Sequence, residues 1–363
     1  MRFDLFYELS VPDFARRTEV QVFHDTLAEI ALGERLGFRT AWLVEHHFMR
    51  EYSHSSAPDL LLAAAAQRTE SLRLGHGIVP LPYHHPVHVA ERLATLDVLS
   101  RGRVEFGFGR GFSPAEHAAF GVDMSESRTL TEEALALIRE AMRGRPVHHR
   151  GPRFHLDGVE VVPRVVQAPH PPMWTAAVSP ESFELAARLG VGALVGPFKP
   201  WLMVREDIRR YRAHWREHRG AAGAAAGENP RVGMTVGIIC LEDAARARRL
   251  ARESIPWFYT RLLDQTRPVL ARLYEGYEYY RRLGRFRALW EAAVTLPVLE
   301  KLGMVVVGDP PHCTERLERM AEAGVDHLLC AVGAGVLPTA VIRESMEVIA
   351  AEVMPAFRAS MAG

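Results

Sequence analysis

"LRLGHGIVPLPYHHPVHVAERLATLDVLSRGRVEFGFGRG", Leu72 to Gly111, decides the fold. It opens on an apolar run, turns through prolines into "PVHVAERLATLDVLS", whose apolar residues recur at helical spacing, and closes on a second apolar run, "GRVEFGFG". Two short apolar runs joined by an amphipathic helix are the unit of a parallel sheet. Toward the N-terminus the unit repeats. "RFDLFY" reads as a strand, "TEVQVFHDTLAEIALGERLG" as a helix closing on Gly37, "TAWLVE" as a strand and "APDLLLAAAAQRT" as a helix. "SESRTLTEEALALIREAMRG" then follows the last run as a helix, so four consecutive strand-helix units are in place by residue 144.

Toward the C-terminus, residues 144–170 lack helical period and carry Pro and Gly, which predicts an irregular excursion with room for a hairpin. The alternation resumes with strand "PMWTAAV", helix "PESFELAARLG", strand "GALVG", helix "WLMVREDIRRYRAHWREHRG", strand "RVGMTVGIICL" and helix "EDAARARRLARES". Residues 255–302, rich in Tyr, Arg and Leu, show no clear strand and read as a helical insertion on the substrate side. Helix "PHCTERLERMAEAG", strand "VDHLLCAVG" and helix "TAVIRESMEVIAAEVM" end the chain. A count close to eight units favours an α/β fold of the closed (β/α)8 TIM-barrel type over an open doubly wound sheet, with residues 1–363 forming a single domain.

Composition narrows the function. Lys plus Arg and Asp plus Glu number 44 each, so the charge is balanced and nothing favours nucleic acid or an anionic membrane. No window reaches the apolar length of a bilayer span, and the N-terminus lacks the h-region of a signal peptide. Cys240, Cys313 and Cys330 are odd in number and far apart, which argues against a disulfide framework and a cysteine zinc site and fits a reducing cytoplasm. A small-molecule partner is expected.

In such a barrel the site lies at the C-terminal ends of the strands. That rule selects Glu45, His46 and His47 in "WLVEHHFMR", His76 to Pro80, Gly107 to Gly111 in "GFGRGF", and Ser179 in "VSPES". Alternating glycines admit a flat or anionic ligand, and Arg110 offers a bidentate donor, although alone the motif is also what a glycine-rich turn looks like. Ser179 fits an N-cap, Pro180 the first helical residue and Ser182 the first turn, a terminus that binds phosphate or merely caps a helix. Arg128 in "SESRTL" is placed to reach the same anion or to be a surface charge. The pairs His46-His47, His84-His85 and His148-His149 invite a metal, but adjacent residues on an extended loop point opposite ways and carboxylates are scarce at the other strand ends. No metal is expected.

Taken in order, "EHHF", "RLGHGIVPLPYHHPVHVAERLATLDVLSRGRVEFGFGRG", "FGVDMSESRTLTEEAL" and "SPES" closely resemble the bacterial luciferase family of flavin-dependent monooxygenases, densely from Phe3 to Gly196, with "VVVGDPPHCTERLERMAEAGVDHLLC" a later block. The resemblance implies a two-component enzyme that takes reduced FMN from a separate flavin reductase and activates O2 as a 4a-hydroperoxyflavin to oxygenate an apolar or aromatic substrate. It implies that His46 is the catalytic histidine, with Glu45 and His47 completing its motif. Arg110, Arg128, Ser179 and Ser182 would hold the FMN phosphate, in loops that include Gly111, Phe112 and Val178, and Gly77-Ile78 would be a non-proline cis peptide under the isoalloxazine ring. It also implies a homodimer through helices of one flank, against which a monomeric mass in light scattering would count. Gly109 stands where luciferase has a reactive cysteine, so light emission is not implied. Two other readings stay in view, a deazaflavin-dependent oxidoreductase of the same fold and a non-catalytic partner subunit. The aromatics Trp257, Tyr259, Tyr274, Tyr277, Tyr279, Tyr280 and Trp290 either line a substrate cavity or pack helices, and Met173, Trp174 and Phe198 are candidates for the pocket.

Overall fold

The computed structural model describes residues 1–197, 199–220, 224–276 and 294–358, with side chains for all of these but 266–276. Its strands are short and almost wholly buried: β1 (Arg2–Tyr7), β2 (Thr40–Leu43), β3 (Arg73–His76), β4 (Val79–Pro80), β5 (Val104–Gly109), β8 (Met173–Ala176), β9 (Gly192–Val195), β10 (Val232–Cys240), β11 (Val305–Gly308) and β12 (His327–Ala331). Continuous apolar runs form strands covered on both faces. Parallel pairing runs β1-β2-β3-β5-β8-β9-β10-β12 and returns to β1, where Leu5 pairs with Ala41 on one edge and Cys330 on the other. The eight-stranded parallel barrel expected from the sequence is closed.

Helices α1 (Glu19–Leu36), α2 (Pro58–Ala66), α3 (Pro86–Leu99), α4 (Pro114–Ala119), α5 (Ser127–Ala141), α6 (Pro180–Leu189), α7 (Trp201–Arg219), α8 (Ala244–Gly276), α9 (Leu296–Lys301), α10 (Pro310–Glu322), α11 (Thr339–Val348) and α12 (Pro355–Arg358) alternate with the strands. α1 shows why the boundaries fall where they do. The Thr18 hydroxyl accepts the Gln21 N–H at 3.2 Å, the Gln21 side chain accepts the Thr18 N–H at 2.9 Å, and Gly37 ends the helix at φ +90°.

Inside the barrel the Trp42 and Trp174 rings meet edge to face at 5.6 Å. Each indole N–H is satisfied, Trp42 donating to Asp4 at 2.9 Å and Trp174 to Glu105 at 2.7 Å. Glycines on neighbouring strands make the room: a Cβ at Gly75 would lie 2.4 Å from Trp42, and one at Gly192 would lie 2.3 Å from Trp174.

Four elements depart from the sequence reading. "LRLGHGIVPL" is two strand pieces, β3 and β4, separated by a cis Gly77-Ile78 peptide. β11 was not foreseen as a strand; among the described residues it pairs with the outer half of β10 alone, and because Gly237 holds Val305 and Ala331 at once, β11 lies on the β9 edge beyond the end of β9. α4 was not foreseen either. The helix after β10 does not stop near Ser254: Ile255, Phe258, Tyr259 and Leu262 are buried, and their packing carries α8 across Pro256, a residue that ordinarily ends a helix. The excursion at 144–170 does hold a hairpin, β6 (Val147–Arg150) antiparallel to β7 (His155–Val159). Cys240, Cys313 and Cys330 are buried free thiols, and no helix among the described residues is long and apolar enough to cross a membrane.

Candidate active site

Three adjacent strand ends make a smooth floor. β4 pairs with β5 through Pro80 and Gly109, and β5 pairs with β8 through Phe108 and Thr175, so Gly77-Ile78, Gly109-Arg110 and Ala176-Ser179 lie side by side. A Cβ at Gly109 would come within 2.9 Å of the Ile78 side chain, and one at Gly107 within 2.0 Å of the His76 carbonyl oxygen. Gly111 has φ +72°, with a would-be Cβ 2.2 Å from the Tyr83 hydroxyl. Glycine is required at Gly107, against a backbone oxygen, and at Gly111, by its left-handed φ, while at Gly109 the contact is only with the tip of the Ile78 side chain and the missing Cβ leaves the floor smooth between Ile78 and Ala176.

His46 stands beside this floor among carboxylates. Its Nδ1 is 3.6 Å from Glu116 Oε1, its Nε2 is 3.8 Å from Glu8 Oε2, and its ring meets Phe112 edge to face at 5.3 Å. Burial opposes a charged imidazole here, but Glu116, Glu8 and Glu45 together outweigh it and raise the His46 pKa above its ordinary value. Glu116 is itself pinned, accepting the His47 N–H at 2.7 Å on one oxygen and the Tyr83 hydroxyl at 3.2 Å on the other. Glu8 accepts the Tyr52 hydroxyl at 2.9 Å, and burial raises its pKa despite the pull of His46.

Glu45 and His47 do different work. Burial resists charge on Glu45, yet hydrogen bonds from His47 at 3.1 Å and from His84 hold its carboxyl below the usual range. A charged Glu45 thus clamps two imidazoles and fixes the loop that carries His46. Beyond His46 a cavity of about 650 Å3 opens, walled in part by Phe23, His24, Phe48, Met49 and His54.

At the end expected to hold an anion the structure modifies the expectation. The Ser182 hydroxyl accepts the N–H groups of Val178 at 2.9 Å and Ser179 at 3.0 Å and donates to the Ser179 carbonyl at 2.6 Å. Those amides are therefore spent within the turn, where Ser179 and Ser182 cap each other, and of the first-turn N–H groups that of Glu181 is left to face a ligand. Arg110 is exposed beside them at the end of β5, while Arg128 is exposed on the first turn of α5, on a different element. Trp174 is buried in the barrel interior and Met173 on the opposite face of β8, where Arg139 of α5 reaches its sulfur at 3.5 Å, so neither faces a pocket. Trp257 packs against Phe14 at 6.0 Å and Tyr259 donates to the Met304 carbonyl at 2.9 Å, so both serve helix packing. Phe198, Tyr277, Tyr279, Tyr280 and Trp290, and the Tyr274 side chain, lie outside the described residues.

Sequence reading missed Glu8, Glu116, Tyr52 and Tyr83, and placed His84 only in a metal context. Of the three histidine pairs none contributes to a metal-compatible cluster among the described residues. The one such cluster, Glu184 with His214 and His218, sits outside the barrel on α6 and the arginine-rich α7, whose charge opposes a divalent cation.

A model of the luciferase-like monooxygenase family matches residues 1–327. Limonene 1,2-monooxygenase of Rhodococcus erythropolis is 29% identical over 93% of this chain and 82% of its own length. The monooxygenase RslO1 of Streptomyces bottropensis superposes with a TM-score of 0.79 at 28% identity, covering 98% of this chain and all of that one. The fold alone is shared with two more distant structures. These are the oxygenating constituent of 3,6-diketocamphane monooxygenase from Pseudomonas putida in complex with FMN (TM-score 0.75, 20% identity, 98% of each chain) and the coenzyme F420 dependent tetrahydromethanopterin reductase of Methanopyrus kandleri (TM-score 0.67, 19% identity, 98% and 99%).

Proposed function

This chain belongs to the luciferase-like monooxygenase family, and we propose that it is the oxygenase component of a two-component system, taking reduced FMN from a separate reductase to put one oxygen atom from O2 into an apolar or aromatic organic molecule. The observation that carries the reading is His46, a largely buried imidazole kept protonatable by Glu116 and Glu8 at the rim of a glycine floor. An oxygenating constituent of the same fold that holds FMN supports the choice of cofactor.

The residues fit that cofactor. The floor of Ile78, Gly109 and Ala176 can seat a planar ring system. Arg110 with the start of α6 can hold a phosphate dianion, and Arg128 adds charge if its side chain turns inward. Reduced FMN, when bound, supplies the two electrons that split O2, one oxygen atom entering the substrate and the other leaving as water. His46 gives or takes the proton, Glu116 and Glu8 set how readily it does so, and Glu45 with His47 and His84 keeps its loop in place. Phe23, Phe48 and Met49 offer apolar contact to an organic molecule in the cavity, beside the polar Glu19, Arg50, Ser53 and His54, and a molecule seated there would displace water from His46. Leu60 on α2 and Val98 and Leu99 on α3 are exposed, which keeps that flank as the proposed homodimer face.

Anaerobic equilibrium dialysis against reduced FMN and reduced F420 tests the cofactor. The account expects reduced FMN to bind more tightly, and Arg110→Ala to weaken it by about tenfold or more through loss of a charge-assisted phosphate contact. Tighter binding of F420 would transfer the reading to a deazaflavin-dependent oxidoreductase, and binding of neither would favour a non-catalytic subunit.

A further inference from the structure

A second, much smaller cavity of about 40 Å3 lies between the end of β1 and α1, with Glu8 in common between its lining and the surroundings of His46. Its polar lining comes from Tyr7, Glu8, Ser10, Arg17, Thr26 and Glu29, and apolar residues such as Phe258 and Ile342 close the rest. Three buried oxygen atoms on these residues, Glu8 Oε2, Tyr7 Oη and Glu29 Oε1, have no hydrogen-bond partner. Leaving three such groups dry would cost several times the penalty of one lost hydrogen bond, whereas a cavity of this size with three polar partners meets the requirements of an ordered water.

The cavity joins two places that the fold otherwise separates. At its inner end Glu8 presents the same Oε2 that lies 3.8 Å from His46 Nε2. At its outer end Glu29 is one helical turn from Asp25 on α1, and Asp25 pairs with Arg17 at 3.0 Å, both partly exposed. We propose that this cavity holds water and conducts protons between bulk solvent and His46 by way of Glu29 and Glu8, with Glu29 a positioning residue that acts through Glu8.

The inference rests on the proposed function in one respect, the need for a proton. If the flavin arrives as its reduced anion, that anion, O2, the organic substrate and one proton give oxidised flavin, oxygenated substrate and water. His46 yields the proton, Glu8 restores it, cavity water carries one from Glu29 to Glu8, and bulk solvent restores Glu29; only O–H and N–H bonds form and break. The front cavity cannot serve once an apolar substrate fills it. Glu29 suits the task because burial, with a contribution from Asp25, pushes its carboxyl up to about 8 against the opposing charges of Arg17 and Arg343, so it holds a proton at neutral pH and can release it. Tyr7 on β1, Glu8 directly after it and Cys330 on β12 also lie on this side, and burial raises the value of each.

Infrared difference spectroscopy of the protein without flavin, wild type against Glu29→Gln, reads the relay without any turnover. The expected result is a protonated-carboxyl band, absent from Glu29→Gln, that titrates near pH 8 and shifts within the mixing time in D2O because water reaches it. A missing band, or one that exchanges only on unfolding, would overturn the inference. In turnover, Glu29→Gln should slow oxidation of the reduced flavin in the presence of substrate by about tenfold, with a larger solvent deuterium effect, and Glu29→Asp should restore part of the rate. Wild-type rate, pH profile and isotope effect in Glu29→Gln would also overturn it. Should the protein not react with reduced flavin at all, the proposed function falls while the infrared result still decides whether Glu29 is a hydrated proton store.

Discussion

Glu116 is the residue on which the site turns, and it was the least legible. In "SPAEH" it stands three residues after Ser113, the spacing of a helix start, and the Ser113 hydroxyl does accept its N–H at 3.3 Å. That local role gives no hint that the carboxylate turns away to His46 and the His47 N–H. Glu8 was within reach, since it directly follows the first apolar run just as Glu45 follows the second. The consequence for pH is specific. Glu116 raises the His46 pKa, so Glu116→Gln should lower it, and protonated His46 is then lost at lower pH. The alkaline limb of the oxidation-rate profile should therefore move toward acid, while Gln still accepts the His47 N–H. An unmoved limb in the measured profile would show that Glu116 does not set the charge on His46.

At the scale of elements, strands and most helices followed from apolar period and end signals, and the failures have physical causes. α8 crosses Pro256 because buried side chains beyond it hold the helix, information that lies in partners distant in sequence. β11 is a four-residue run that among the described residues pairs with the outer half of β10 alone, so nothing local distinguished it. The "SRGR" turn proves structural: Arg103 donates to the carbonyls of Ser100, Leu72, Ala66 and Thr69 and to the Thr69 hydroxyl, stapling the ends of α2 and α3. The strand glycines carry an energetic prediction. A methyl at Gly75 meets an indole fixed by Asp4 and Trp174, so Gly75→Ala should destabilise the barrel by about 1–3 kcal/mol in denaturant unfolding. Adding Trp42→Leu should make the two costs less than additive, because the smaller side chain relieves the clash. Strict additivity would mean that the two sites do not touch.

For the whole molecule, the count of strand-helix units was enough to choose a closed barrel, and the barrel rule then sent attention to the strand ends at which Glu45, His46 and the glycine floor lie. What the units could not convey is the way loops after β1, β2 and β5 converge, because Glu8, His46 and Glu116 are set together only by closure of the ring. The central claim is that this convergence lets His46 govern the reaction of bound reduced flavin with O2. The most direct test is stopped-flow absorbance after mixing protein loaded anaerobically with reduced FMN into oxygenated buffer, comparing wild type with His46→Ala. The account predicts that in wild type O2 is consumed well before oxidised flavin appears, and that this delay shortens in the variant as hydrogen peroxide is released instead. Oxidised flavin appearing in wild type with the time course of free reduced FMN, or an identical delay in the variant, would contradict it.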